Sequence, residues 1–183
     1  MASVREAALA RRSSPKVTDA APGDDELAAL VEAAGRVADH ASLAPWRVIA
    51  VRGDARARLG TALAAAAGAE GEAAAKLAAK PLRAPLLVAI VASVTEGHPK
   101  VPVWEQEAVA AGVGHLLSLL LDEAGWGVMW RTGPYTRHPA VAAVHGLGEG
   151  ERLMGWLYVG GRPEGARTTR PSATTAGRLS SLH

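Results

Sequence analysis

Apolar residues recur at helical spacing through Leu27, Leu30, Val31 and Ala34, which predicts a helix over Glu26 to Ala34, capped by Asp24 or Asp25 and ended by Gly35. A shorter helical pattern, Val4 with Ala7, Ala8 and Leu9, precedes it within Val4 to Arg12, and Pro15 and Pro22 interrupt the chain between the two. Val48 to Val51 reads as a strand closed by Gly53 and Asp54. Ala55 to Ala67 and Glu72 to Ala79 read as alanine-rich helices. Leu86 to Val91 is the strongest strand, and its unbroken apolar run implies burial on both faces. Val128 to Trp130 and Met154 to Val159 predict two further strands, with a helical turn or two at Ala140 to His145 between them. From Gly160 onward the chain is polar, carries Pro163 and Pro171, and loses its periodicity.

The long element is Trp104 to Ala124, a helix of about six turns. Between Ala108 and Leu121 it is apolar almost all round, a pattern that demands burial on every side. Two chains packing such helices together would meet that demand, so the pattern favours a homodimer. Gly112 and Gly114 weaken helix propensity there and predict close approach of another backbone. Helices and strands alternate irregularly over 183 residues, without repeats or a linker, so a single domain spans 1–183 with a polar tail from about 161.

Composition narrows the function classes. Hydrophobic residues are 49% and charged residues 21%, ordinary globular usage. The net charge is only +2, and no basic stripe interleaves with aromatics, which argues against nucleic acid. The absence of cysteine removes disulfides, thiolate metal sites and cysteine nucleophiles. The six histidines lack ligand spacing, so no metal is expected. No P-loop, G-x-G-x-x-G or G-x-S-x-G motif occurs. Arg11-Arg12 is followed by polar residues instead of the apolar core of an export signal, and Ala108 to Leu121 is too short to span a bilayer. A cytoplasmic protein without membrane partners is expected.

Three local clusters remain. Arg11-Arg12-Ser13 lies where a helix gives way to a loop, and its guanidiniums and hydroxyl suit a phosphate as well as a solvated helix end. Arg36 and His40 stand four residues apart before Pro45-Trp46-Arg47, able to meet a ligand or to form a surface pair with Asp39. Trp130-Arg131-Thr132-Gly133 puts a cation and a hydroxyl at a strand end, where a rigid sheet presents polar groups or simply turns. Trp104-Glu105-Gln106-Glu107 opens the long helix with acids that suit its dipole.

Taken in order, Arg11-Arg12-Ser13, Arg36-x-x-Asp39-His40, Pro45-Trp46-Arg47, Val101-Pro102-x-Trp104-Glu105-Gln106-Glu107 and Trp130-Arg131-Thr132-Gly133 closely resemble the nitroreductase family. The match is best to its small, single-domain, YdjA-like branch of NAD(P)H nitroreductases and runs from Arg11 to about Gly160. The resemblance implies an α+β, nitroreductase-like fold with a mixed central sheet flanked by helices, and an intertwined homodimer. It implies FMN at the dimer interface and NADH or NADPH as co-substrate. Arg11, Arg12 and Ser13 would hold the ribityl phosphate and ring edge, Arg36 and His40 would reach the partner subunit's flavin, and Trp130, Arg131 and Thr132 would complete the site. Leu120, Leu121, Asp122, Glu123, Ala124 and Gly125 form the segment credited with nicotinamide binding. Two positions depart from the family pattern: Ala44 replaces the usual amide before Pro-Trp, and Thr132 replaces the commoner serine.

The resemblance thus implies an FMN-dependent oxidoreductase that reduces nitroaromatic, quinone or related small-molecule acceptors. No catalytic side chain is required, because the chemistry belongs to the cofactor. The alternatives are a specialised member of the superfamily (dehydrogenase, dehalogenase or flavin-fragmenting enzyme), a flavin carrier or sensor without turnover, and a helical interaction module.

Overall fold

A computed structural model describes residues 3–165 and 176–182. The part of the polar tail at 166–175 lies outside the described residues. Among the described residues, six α-helices and four strands follow the predicted order: α1 (Val4–Ala10), α2 (Asp24–Ala34), β1 (Trp46–Val51), α3 (Asp54–Ala66), α4 (Gly71–Ala78), β2 (Leu86–Ser93), α5 (Val103–Glu123), β3 (Trp126–Arg131), α6 (Pro139–Val144) and β4 (Glu151–Gly161). The strands form one sheet in the order β1-β2-β4-β3.

The α+β class is borne out, but the expected mixed pairing is not: every pair among the described strands is antiparallel. The connections explain this. Between β1 and β2 the chain makes two helices, α3 and α4, and returns to its starting end, so the strands oppose each other. The single helix α5 carries the chain across from β2 to β3, giving them the same direction. β4 then inserts between them and pairs antiparallel with both.

β2 is buried along nearly its whole length, as its apolar run predicts. Leu87, Ala89 and Val91 face α3 and α6 with Leu153, Trp156 and Tyr158 of β4, while Leu86, Val88 and Ile90 face α2 and α5 with Leu157 and Val159. Leu153 and Trp156 share a face despite their odd spacing because β4 bulges at Met154: Ile90 pairs with Gly155, and Val91 with Leu153. Arg47 of β1 forks onto Glu151 of β4, with Nε–Oε1 2.5 Å and Nη2–Oε2 2.7 Å.

Within one chain α5 is not buried all round, the condition from which the sequence pattern favours a homodimer. Val109, Ala110, Val113, Leu117 and Leu121 are buried, but Ala108 and His115 are exposed and Gly112, Leu116 and Leu119 are half-buried. Trp104 at its start is 69% exposed, and Val4 and Leu9 of α1 are 80% and 70% exposed. The close approach expected at the helix glycines occurs at Gly114 alone, and to a side chain. A Cβ there would lie 2.2 Å from the ring of Trp130, whereas Gly112 has nothing nearer than Val37 at 3.6 Å. No helix among the described residues is long and apolar enough to cross a membrane.

Candidate functional site

Gly155 shapes the end of β3. Its φ is +145°, and a Cβ would meet Arg131 O at 2.7 Å, Trp130 Nε1 at 2.9 Å and Thr132 Cγ2 at 2.9 Å. Only glycine lets Trp130–Thr132 close on the β4 bulge. The isolated glycine in the predicted strand Met154 to Val159 is the local signal for this feature. Alternation along β3 then separates neighbours. Trp130 turns toward α5, where its ring stacks on His115 with centroids 4.8 Å apart. Arg131 turns to the opposite face and stands over the Tyr158 ring, Cζ to centroid 5.1 Å.

On that face lies a cavity of about 360 Å³. Met129, Trp130, Arg131 and Thr132 of the β3 end line it with Leu63, Leu77, Trp156 and Tyr158. Lys80 and Arg83 enter from the 3-10 turn after α4, and Tyr135 and Thr136 from the turn after Gly133. Sequence reasoning missed Lys80 and Arg83 because tertiary packing brings them here. Gly60 of α3 lies so close to α4 that a Cβ would sit 2.1 Å from Ala78 O, and Arg56 Nη1 donates to Ala84 O at 2.7 Å. Lys80, Arg83 and Arg131 form no ion pair among the described residues, and Arg131 Nε is buried without a hydrogen-bond partner. Three cations without ion pairs, Lys80 and Arg83 exposed and Arg131 half-buried, thus border one cavity with apolar and aromatic walls.

Trp156 is fixed from behind. Its Nε1–H donates to His145 Nε2 at 2.9 Å, and His145 Nδ1 meets Val141 O at 2.7 Å, which sets the neutral tautomer. Burial pushes the His145 pKa down, partly opposed by the Val141 hydrogen bond and reinforced by nearby Arg47. Burial likewise raises the Tyr158 pKa, while the charges of Arg131 and Arg83 act against it.

The predicted site residues divide into groups. Arg11, Arg12 and Ser13 follow α1. Ser14 N–H donates to Val128 O at 2.8 Å, and Thr18 bridges Gly161, so this strap is tied to β3 and to the end of β4. Arg11 and Arg12 are half-buried and make no side-chain hydrogen bond or ion pair among the described residues. None of Arg11, Arg12 and Ser13 lines the cavity that Trp130–Thr132 borders.

Arg36 and His40 lie elsewhere in the chain. His40 Nδ1 pairs with Glu105 Oε1 at 2.9 Å in a groove of about 600 Å³ against Ala108, Val109 and Gly112 of α5. The loop is held by Asp39, whose Oδ2 accepts the Ala44 N–H at 2.7 Å. Ala41, Ser42 and Ala44 all take positive φ. At Ala44 (φ +44°) an asparagine, one of the two amides usual in the family, would tolerate that backbone better.

Leu120–Gly125 stands at the start of β3, about 20 Å along the strand from the cavity end. Leu121 is fully buried, and Asp122 is buried and paired with Arg162, Oδ1–Nη2 2.8 Å. Glu123, Ala124 and Gly125 are exposed.

Other signature residues prove to be structural. Gln106 is fully buried and pins the loop before α5 by accepting from Thr95 N at 2.9 Å and donating to Thr95 O and Val101 O. Trp46 fits against Gly35, where a Cβ would lie 2.7 Å from its ring.

Comparison with known proteins gives this geometry a family. The nitroreductase family profile matches residues 8–161. The chain belongs to the nitroreductase family. It is 35% identical over 153 residues to the Escherichia coli (strain K12) protein named "Putative NAD(P)H nitroreductase YdjA", covering 82% of this chain and 83% of that one. A nitroreductase-like family protein from Bacillus cereus shares the fold with TM-score 0.84 at 21% identity, over 100% of this chain and 97% of that one. A nitroreductase with bound FMN from Bacteroides fragilis NCTC 9343 aligns over 100% of both chains with TM-score 0.78 at 20% identity.

Proposed function

We propose that the protein is a cytoplasmic FMN-dependent oxidoreductase that uses NADH or NADPH to reduce a nitroaromatic, quinone or related acceptor. Family membership and the NAD(P)H nitroreductase relatives support the oxidoreductase class. The observation that carries the cofactor is the cavity itself. Its apolar and aromatic walls suit a flat ring system, and its unpaired Lys80, Arg83 and Arg131 suit anionic oxygens. The orphaned Arg131 Nε marks a donor still lacking its acceptor. On both counts these residues fit FMN.

When bound, FMN supplies hydride acceptance and electron delivery. The chain supplies position and field. Trp130, Arg131 and Thr132, with Arg11, Arg12 and Ser13 from the strap, would bind and orient the cofactor. Lys80, Arg83 and Arg131 would favour negative charge on it, and Leu63, Leu77 and Met129 would exclude water. His40 lines the α5 groove and Arg36 precedes its first lining residue, Val37; neither lines the cavity of their own chain. In a homodimer packed on the half-exposed face of α5 they would reach the partner's cofactor. Of the segment Leu120–Gly125, Leu121 and Asp122 are buried, which would leave Leu120 and Glu123 to Gly125 to meet a nicotinamide co-substrate.

Protein reconstituted with FMN should retain about one FMN per chain through gel filtration, and anaerobic NADH or NADPH should bleach it. Loss of FMN on the column overturns the cofactor assignment. Bleaching by dithionite but by neither nicotinamide makes the protein a carrier instead of an enzyme.

A further inference from the structure

A carboxylate partner offsets the charge of a buried guanidinium and takes up to two of its five N–H donors. Arg131 is held by a different device. Its Cζ lies 5.1 Å from the Tyr158 ring centroid, and it forms no ion pair among the described residues. The register fixes the arrangement: Arg131 lies opposite Trp156 and Met129 opposite Tyr158, so Tyr158 is the diagonal neighbour of Arg131 on one face. Tyr158 is only 6% exposed and its ring packs in the core cluster below the cavity. An aromatic face attracts a cation through its quadrupole without neutralising it.

We propose that Tyr158 is a positioning residue: its ring holds the Arg131 guanidinium at the cavity wall while leaving charge and donors free for an anionic oxygen of the bound cofactor. The proposal rests on the reading that the cavity takes FMN. The oxygen belongs either to the phosphate or to the electron-rich edge of the reduced ring, and the arms of the experiment separate these.

Tyr158 is replaced first by phenylalanine and then by phenylalanines with progressively more ring fluorines, which drain the face of charge at nearly constant size. Affinities for oxidised FMN, dithionite-reduced FMN and riboflavin are measured for each. With Tyr158→Phe as the reference, affinity should fall along the fluorine series by roughly 2- to 30-fold in all. In an Arg131→Ala background the series should be flat. A fall confined to reduced FMN assigns Arg131 to the ring edge. An equal fall in both redox states, with riboflavin unaffected, assigns it to the phosphate; either supports the proposal. Constant affinity along the series, in protein that binds FMN, overturns it. So does a full loss in Tyr158→Phe, which would point to the hydroxyl, and so does a fall that persists without Arg131. Wild-type protein that binds no FMN overturns the cofactor reading and this proposal together.

Discussion

Replacing Glu151 by glutamine measures how much the charge in the β1–β4 clasp stabilises the sheet that carries the site. The carboxylate takes both Arg47 donors at 2.5 and 2.7 Å, the Gly148 N–H at 2.8 Å and the Ser93 hydroxyl at 3.3 Å. These donors, Arg47 foremost, hold its pKa down from 4.5 to about 2. At about 1.36 kcal/mol per pKa unit, the depression bounds the contribution of the charge at about 3 kcal/mol. The Arg47 side chain is 40% exposed, however, so solvent screens the pair. We expect about 1–2 kcal/mol after that discount. The folded pKa lies below the unfolded one, so this stability is present above pH 4.5 and is lost as pH falls toward about 2. Urea midpoints of Glu151→Gln and wild type, taken at one protein concentration near pH 7 and near pH 3, give the difference directly. The gap should shrink by most of its value at the lower pH. A gap equal at both pH values, or below about 0.5 kcal/mol at neutrality, refutes the reasoning.

Gly114→Ala should displace the Trp130 ring and cost about 1–3 kcal/mol with loss of FMN, whereas Gly112→Ala leaves that ring in place. Equal thermal melts and FMN retention in the two variants would contradict the packing argument. His145 is buried neutral, so its contribution is complete above its ordinary value of 6.5 and declines as pH falls below it. Trp156→Phe removes the donor facing Nε2 and should raise the His145 midpoint in an NMR titration; an unchanged or lower midpoint rejects the pairing. If each site draws on two chains, refolded mixtures of Arg131→Ala with Arg36→Ala should regain about a quarter of wild-type activity, because half the dimers are mixed and each mixed dimer has one intact site. No recovery would place all site residues in one chain.

The sequence by itself determined the element order and the strongest burial. Period-3.6 and period-2 patterns are local, so the helices and strands were legible to within a few residues, and the apolar run Leu86 to Val91 announced a strand covered on both faces. The ordered motifs announced the family and pointed to Trp130–Thr132, which border the cavity. They did not announce that Gln106 and Trp46 in those motifs act in packing, since a motif gives residue type and spacing but not direction. Tertiary structure decided the rest. The return of the α3–α4 pair made the sheet antiparallel, and the Gly60 contact carried Lys80 and Arg83 to a cavity some 50 residues from Arg131 in sequence. The bulge at Met154–Gly155 put Trp156 and Tyr158 under that cavity by breaking the alternation that sequence patterns assume. Such placements depend on close approaches between segments distant along the chain, and no local pattern encodes them.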